Sequence, residues 1–456
     1  MPNSFTHFKI IIHRGSHEIG GSCVELQASS GARILIDFGM PLQAPCGADF
    51  NDRSLEGKST PTLIDEKVLF DIKGLYPGDT PSLDAVLISH SHKDHYGLLP
   101  YINPKIPVYI SEGAYKLIQA LNIFIPEHKH TVIDTPVFLK HRQPVIIGGF
   151  EITPHLVDHS GFDAMSFLIT EISSGKTIFY TGDFLTGGWT HKRYDDVIIN
   201  PPKQIDCMLM EGTMLERDGG KYPDEESVVQ GVIEAIGKSA NTVIPLYCSG
   251  QNIDRIVSLY KAARRAKALF VVDPYTACML RVAGSVAHSS IPQVEWDGIY
   301  VFIANYGKGD KYVYKMSKSN HKEMIYSIGR KEIKAYDFGA LKQKFLLLMR
   351  NSMIPVVEKI PQIKGSTLIY SQWEGYIKKQ TPDAKMFWQF VERNDLKVEH
   401  IHAGGHAPVA DLKRLADAID PKVLIPIHTF KPQQYNQLFK NVRMLKDGEP
   451  FTIPTK

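Results

Sequence analysis

The sequence predicts an α/β protein of two or three folding units. Three observations carry this expectation. Short β-branched runs separated by turns fill the first third of the 456 residues, strand-like and helix-like runs alternate from about Ile205, and the alternation goes on past Lys364. We place boundaries near residues 205 and 365.

The elements follow in order. Strands are expected at Phe8 to His13, Ser22 to Gln27, Arg33 to Asp37, Ala85 to Ser89, Phe150 to Pro154, Ser166 to Thr170 and Lys176 to Thr181, on β-branched content and Gly, Pro or Asp boundaries. Between Pro41 and Leu83, Pro45, Gly47, Pro61, Gly74, Pro77, Gly78 and Pro81 break every period. A long irregular excursion is expected there, and one this long suggests cover over a site. Beyond it, strands at Asp206 to Met210, Thr242 to Leu246 and Ala268 to Val272 alternate with helices at Asp224 to Ile236, Gln251 to Lys267 and Tyr275 to Val286. Such alternation implies parallel βαβ units. Ser366 to Tyr370, Lys397 to His402 and Val423 to Ile427 read as strands, with helices at Pro382 to Glu392 and Pro408 to Ala418.

Composition excludes several classes. With 43% hydrophobic and 22% charged residues the chain is an ordinary globular protein rather than a disordered one. No run approaches the roughly 18 to 20 apolar residues that cross a bilayer. The apolar stretch at Phe8 to His13 is too short for a signal peptide. A net charge of +3 argues for no polyanion by itself, so any such site must be a local patch. The five cysteines, Cys23, Cys46, Cys207, Cys248 and Cys278, form no Cys-x-x-Cys pair. They suit neither a disulfide framework nor a thiolate zinc site; a reducing, cytoplasmic compartment and mostly buried thiols are expected.

The 18 histidines say more. His90, His92, Asp94 and His95 crowd directly after the apolar run Ala85-Val86-Leu87-Ile88. Imidazole and carboxylate are ligands for Zn²⁺, and also for Mn²⁺ or Fe. His90 and His92 are two apart, so in extended backbone they project to one side and can grip one ion. Asp94 and His95 fall where the chain turns into a helix and can reach a second. Two shells need more ligands, and His159, Asp183 and His428 each follow a strand-like run. An Asp there can bridge two ions.

The order of these motifs resembles the metallo-β-lactamase superfamily and, within it, the β-CASP nucleases of the ribonuclease J type. The first strand and turn, from Ile12 to Cys23, are similar to the family's Gly-x-x-Glu-Ile-Gly opening. The resemblance implies an αββα sandwich, residues 1–205 and 366–456, interrupted by an α/β β-CASP domain at 206–365. It implies two Zn²⁺, with Mn²⁺ as the alternative: His90, His92 and His159 on one ion, Asp94, His95 and His428 on the other, Asp183 between them. Asp37 matches the first motif and would hold the metal loop by hydrogen bonds. Glu211, His406 and His428 match the three β-CASP motifs, and a His at the third resembles RNA-directed members. Gly404 departs from the usual His-x-Ser-Gly-His, whose Ser belongs to a pocket for an RNA 5′-monophosphate, so endonuclease action is favoured over 5′-3′ exonuclease action.

Phosphodiester hydrolysis needs an activated water and a protonated leaving oxygen. Asp94, His406, Glu211 and Asp37 form the expected catalytic set, with His406 as general acid, Glu211 orienting it and Asp94 as the alternative proton handler. For phosphate and RNA we single out His402, Gly404, Gly405, Ser249, Asn252 and Arg255; an N-capped helix is the other reading of 249–255. A basic track is expected at Arg255, Lys261, Arg264, Arg265 and Lys267, and at Lys308, Lys311, Lys315, Lys318 and Lys322 with Tyr306, Tyr312 and Tyr314. The expected partner is RNA, without a membrane; a homodimer is left open. The chain runs only 28 residues past His428, so the type's C-terminal domain, and the tetramer it supports, are not expected. The competing functions are a DNA-directed nuclease, a small-molecule hydrolase of the same fold and a non-catalytic RNA-binding scaffold. His428, the insert and the complete ligand set count against them in turn.

Overall fold

In the first unit two sheets face each other. This is a computed structural model, and it describes residues 7–215, 217, 221–287, 291–304, 311–340 and 342–454. One sheet runs Pro450–Thr452, Lys9–Arg14, Cys23–Gln27, Arg33–Ile36, Ala85–Leu87, Val108–Ser111, Pro136–Leu139, parallel from Arg33–Ile36 onward. The other runs Leu424–Ile427, Cys207–Glu211, Thr177–Tyr180, Met165–Glu171, Phe150–Leu156, Val145–Ile147, with its first three strands parallel. Side chains alternate across each strand, so Ile10, Ile12, Val24, Leu26, Ile34 and Ile36 meet Phe167, Ile169, Cys207, Leu209, Ile425 and Ile427 in one buried layer. Burying each of the larger apolar side chains contributes about 1.5–3 kcal/mol.

Helices cover both outer faces. Ala114 and Ile118 of the helix Glu112–Leu121 pack on Leu35, Val86 and Ile110. Leu412, Leu415 and Ile419 of Val409–Ile419 pack on Phe179, Met208 and Met210. The expected αββα sandwich is what the chain forms. The 41–83 excursion is less irregular than its prolines suggest. A helix at Thr60–Asp65, started by Ser59 as N-cap and Pro61 in its first turn, buries Leu63 beside Leu55, Leu69 and Leu75 under the first sheet.

The second unit is one parallel sheet, Glu332–Ile333, Ile299–Phe302, Leu269–Val272, Phe345–Met349, Val243–Tyr247, Thr367–Tyr370, Lys397–His400. Helices Glu225–Lys238, Ile253–Arg265 and Pro274–Ala287 cover one face, and Pro382–Arg393 lies on the other.

Sheet membership moves both expected boundaries. Cys207–Glu211, placed in the inserted unit by the boundary at 205, pairs with Thr177–Tyr180 and Leu424–Ile427 in the first unit. Thr367–Tyr370 and Lys397–His400, placed in the first unit by the boundary at 365, belong to the third sheet. The reason is the βαβ crossover: a strand, a helix and a parallel strand stay in one sheet. Expected element types hold at these positions; only the assignment to units changes. Four cysteines are buried and Cys46 is exposed, all as free thiols.

Candidate metal centre

Parallel strands put their carboxyl ends on one edge, and ligand sites collect there. Asp37 follows Arg33–Ile36, the His90–His95 segment follows Ala85–Leu87, His159 follows Phe150–Leu156, Asp183 follows Thr177–Tyr180 and His428 follows Leu424–Ile427. Glu211 ends its own strand. The seven metal-ligand candidates therefore converge although up to 338 positions, from 90 to 428, separate them.

Among the described residues three overlapping groups bring ligand atoms within 4.8 Å of one another: His90, His92 and His159; Asp94, His95, Asp183 and His428; and Asp183, Glu211, His406 and His428, of which the first two match the expected ion sites. Asp183 lies between them: its Oδ2 is 3.1 Å from His95 Nε2 and 3.9 Å from His90 Nε2, and its Oδ1 is 3.5 Å from His428 Nδ1. The chemistry of the donor set fits divalent metal ions. Nε2 of His90 and of His159 are buried without a hydrogen-bond partner, a cost of about 1–3 kcal/mol each unless something binds them. Burial, then neighbouring imidazoles, push His90 and His159 well down; burial pushes His92 down to about 4. Neutral imidazole is the form that coordinates a metal.

Asp37 is tied to this loop by hydrogen bonds. Fully buried, its carboxylate accepts hydrogen bonds from Ser89 N at 2.7 Å and from Ser89 Oγ, Tyr180 Oη and His95 Nδ1 at 2.8 Å. The His95 contact fixes that ring's tautomer, so Nε2 faces Asp183. Burial opposes a charge on His95, but Asp183 and Asp37 outweigh it and hold the ring above its ordinary pKa. Asp37 and His428 both take left-handed backbone, φ 58° and 55°, strain of about 1–3 kcal/mol each that clusters at functional sites. Gly39 has no room for a side chain: a Cβ would lie 1.7 Å from the Asp94 carbonyl oxygen. Sequence reading missed Ser89, Tyr180 and Thr213, whose Oγ1 is 2.9 Å from His428 Nδ1; no motif spacing marks a hydroxyl that acts only in three dimensions.

His406 joins the site from the loop that returns from the third sheet. Its Nδ1–H donates to Glu211 at 3.1 and 3.2 Å, which leaves Nε2 for a substrate. Burial would lower its pKa; the Glu211 charge and hydrogen bond, then Asp183 and Asp94, lift it instead to about 9. Burial would likewise raise Asp94, but the His428 hydrogen bond and the His95 charge hold it well below the carboxylate range.

The residues expected on phosphate divide. Ser249 is exposed, and Gly404 is open: a Cβ there would come no nearer to another residue than 3.7 Å. Gly405 lies beside Ser160. Asn252 caps the helix Ile253–Arg265, its Oδ1 accepting from Arg255 N, and bridges to Gly161 near His159. Arg255 is a correction. It is 1% exposed, ion-paired to Glu225 at 2.9 Å, and donates to Ser371, Ala403 O and His402 Nδ1. No donor is left for phosphate; the side chain ties three segments of the inserted unit together. It also sets His402, whose Nδ1 must accept, and burial followed by the Arg255 charge drives that ring down to about 2. Of the basic track, Lys261 lies over the Trp189 ring and Arg265 pairs with Glu226. Tyr306, Lys308 and the Lys311 side chain lie outside the described residues. Replacing Glu225 by Ala leaves a buried guanidinium unpaired, so a loss of about 3–5 kcal/mol is expected in denaturant unfolding.

The comparisons with known proteins agree with this picture. The family model for the β-lactamase superfamily domain matches residues 70–236. The chain is 22% identical to a ribonuclease J of Helicobacter pylori (strain B128) over 99% of its own length and 61% of the relative's. It is 25% identical to an RNase J-like protein of Methanocaldococcus jannaschii over 54% of each. A crystal structure of a protein of unknown function from Enterococcus faecalis V583 superposes with a TM-score of 0.76 at 21% identity, covering 98% of this chain and 100% of that one. The chain thus spans about 61% of the length of the first relatives it matches. Fold, motif order and similarity over most of the chain point the same way: the chain carries a β-lactamase superfamily domain and is similar to the ribonuclease J proteins.

Proposed function

We propose that this chain is a metal-dependent ribonuclease that hydrolyses phosphodiester bonds of single-stranded RNA, by endonucleolytic cuts. The observation that carries this is the His406–Glu211 pair set 3.9 Å from Asp183 at the meeting of the two candidate ion sites. A proton donor beside a charge-neutralising centre is what a departing alkoxide needs. The relatives named ribonuclease J and the histidine at 428 support RNA over DNA.

His90, His92 and His159 would hold one Zn²⁺ and Asp94, His95 and His428 the other, with Asp183 shared and Mn²⁺ as the alternative. When bound, the ion pair neutralises developing charge and acidifies water. The remaining steps belong to the chain. Asp37 keeps the loop and the His95 tautomer fixed. His406 Nε2 gives its proton to the leaving oxygen, and Glu211 stabilises the imidazolium beforehand. Asp94 is the nearby carboxylate that can take a proton. A cytoplasmic site of action and a homodimer belong to the same reading; among the described residues no helix is long and apolar enough to cross a membrane.

The test is purified protein with end-labelled RNA and DNA of equal sequence bearing 5′-phosphate, 5′-triphosphate or 5′-hydroxyl. Internal RNA fragments from all three, intact DNA and about two divalent ions per chain are expected. Untouched RNA overturns the reading. Gly404 offers a second prediction, because a serine side chain fits there. Gly404→Ser is expected to raise the yield of 5′-terminal mononucleotide from 5′-monophosphorylated RNA, read on the same gels.

A further inference from the structure

Between the strand Thr367–Tyr370 and the helix Pro382–Arg393, the third sheet sends out a short segment with two large exposed aromatic rings. Trp373 is 37% and Tyr376 is 58% exposed. Their rings meet edge to face, centroids 5.3 Å apart at 83°. The Arg217 guanidinium lies 4.7 Å above the Trp373 ring. Gly375 makes this arrangement feasible: a Cβ there would sit 2.4 Å from two indole carbons, so only glycine lets the indole fold back over its own turn. The cluster is thus a built feature rather than loose surface.

Two contacts place it beside the metal centre: Arg217 N donates to Met214 O at 3.1 Å, and Thr213, the residue before Met214, has its Oγ1 2.9 Å from His428 Nδ1. A partly buried guanidinium that stacks on indole is suited to a phosphate. An exposed ring face beside it is suited to a base, and stacking works for any base because each has a π face. Tyr376 also lines a cleft of about 540 Å³ at the carboxyl ends of Val243–Tyr247 and Thr367–Tyr370, within the size of ordinary ligand pockets.

We propose that Tyr376, Trp373 and Arg217 form a subsite for the RNA nucleotide next to the scissile phosphate. Tyr376 stacks the base, Arg217 meets that nucleotide's phosphate, and Trp373 props both. The inference rests on the ribonuclease reading and adds which residues grip the strand beside the cut. None of the three moves a proton, so their effect falls on binding and register rather than on bond breaking.

The test has two arms on the full chain. In the first, fluorescence anisotropy with labelled oligo(U) in excess chelator reads binding without cleavage. Tyr376→Ala is expected to weaken binding by about tenfold, the scale of one lost base stack. Tyr376→Phe should restore it, and Arg217→Ala should weaken it and flatten its salt dependence. In the second, metal-loaded wild type cleaves RNAs carrying one abasic nucleotide walked along the strand. One position beside the cut should slow cleavage, and Tyr376→Ala should erase that dependence. Wild-type binding by Tyr376→Ala, or cleavage indifferent to every abasic position, overturns the subsite, the second even if the variants fail to fold. Binding that depends on Tyr376 in a protein that cuts no RNA sinks the ribonuclease reading and leaves an RNA-binding surface. Cleavage that ignores Tyr376 does the opposite.

Discussion

An Asp183→Asn variant is expected to lose at least one of the two proposed divalent ions and nearly all RNA cleavage. The substitution is almost isosteric and keeps one oxygen, so packing is conserved and only charge is removed. That charge is shared: four imidazoles, of His90, His95, His406 and His428, lie within 3.9 Å of the carboxylate. Its Oδ2 faces a ligand of each proposed ion site, His90 at 3.9 Å and His95 at 3.1 Å, so its loss weakens each. A single lost electrostatic contact in a preorganised site costs about 10²–10³ in rate, and cleavage should fall at least that far. Metal analysis of the purified variant, gel-based rates and circular dichroism check the three parts separately. A folded variant with two ions and wild-type rates would remove Asp183 from the mechanism.

Asp183 also shows what was legible in the sequence. Its position past the end of Thr177–Tyr180, directly after Gly182 with φ 56°, is a local pattern: an apolar run stopping at a turn. The same holds for His90 to His95, His159, Glu211 and His428, and strand and helix types were readable for the same reason. What could not be read is tertiary. Arg255 looks like a phosphate ligand at a helix start, and nothing in its neighbours announces that Glu225, 30 positions earlier, takes its charge. The Asp37 carboxylate gathers Ser89 and His95 from beyond one strand end and Tyr180 from another, and no spacing links them. The boundary at 365 failed because a strand's sequence records its period and not its partner: Thr367–Tyr370 would look the same in either sheet.

Removing the Glu211 charge is expected to move the alkaline limit of cleavage to lower pH. A general acid works in its protonated form, so activity that depends on His406 is present below its pKa and lost as pH rises through it. In the intact site that pKa is raised to about 9, and after burial, which opposes the rise, the Glu211 charge and hydrogen bond are the largest causes. Asp183 and Asp94 come next, but ions at the ligand set would offset both charges, leaving Glu211 as the holder of the proton. Glu211→Gln keeps a hydrogen-bond acceptor for Nδ1–H and loses the charge, so the descending limb of kcat/KM should shift toward the ordinary histidine range near 6.5. His406→Ala should cost about 10²–10⁴ in rate at neutral pH. That loss should shrink sharply on a phosphodiester with a nitrophenolate leaving group, which departs without a proton. An equal loss on both substrates would mean that His406 positions the substrate rather than protonating the leaving oxygen. An unshifted limb in Glu211→Gln would mean that another group sets the proton's affinity.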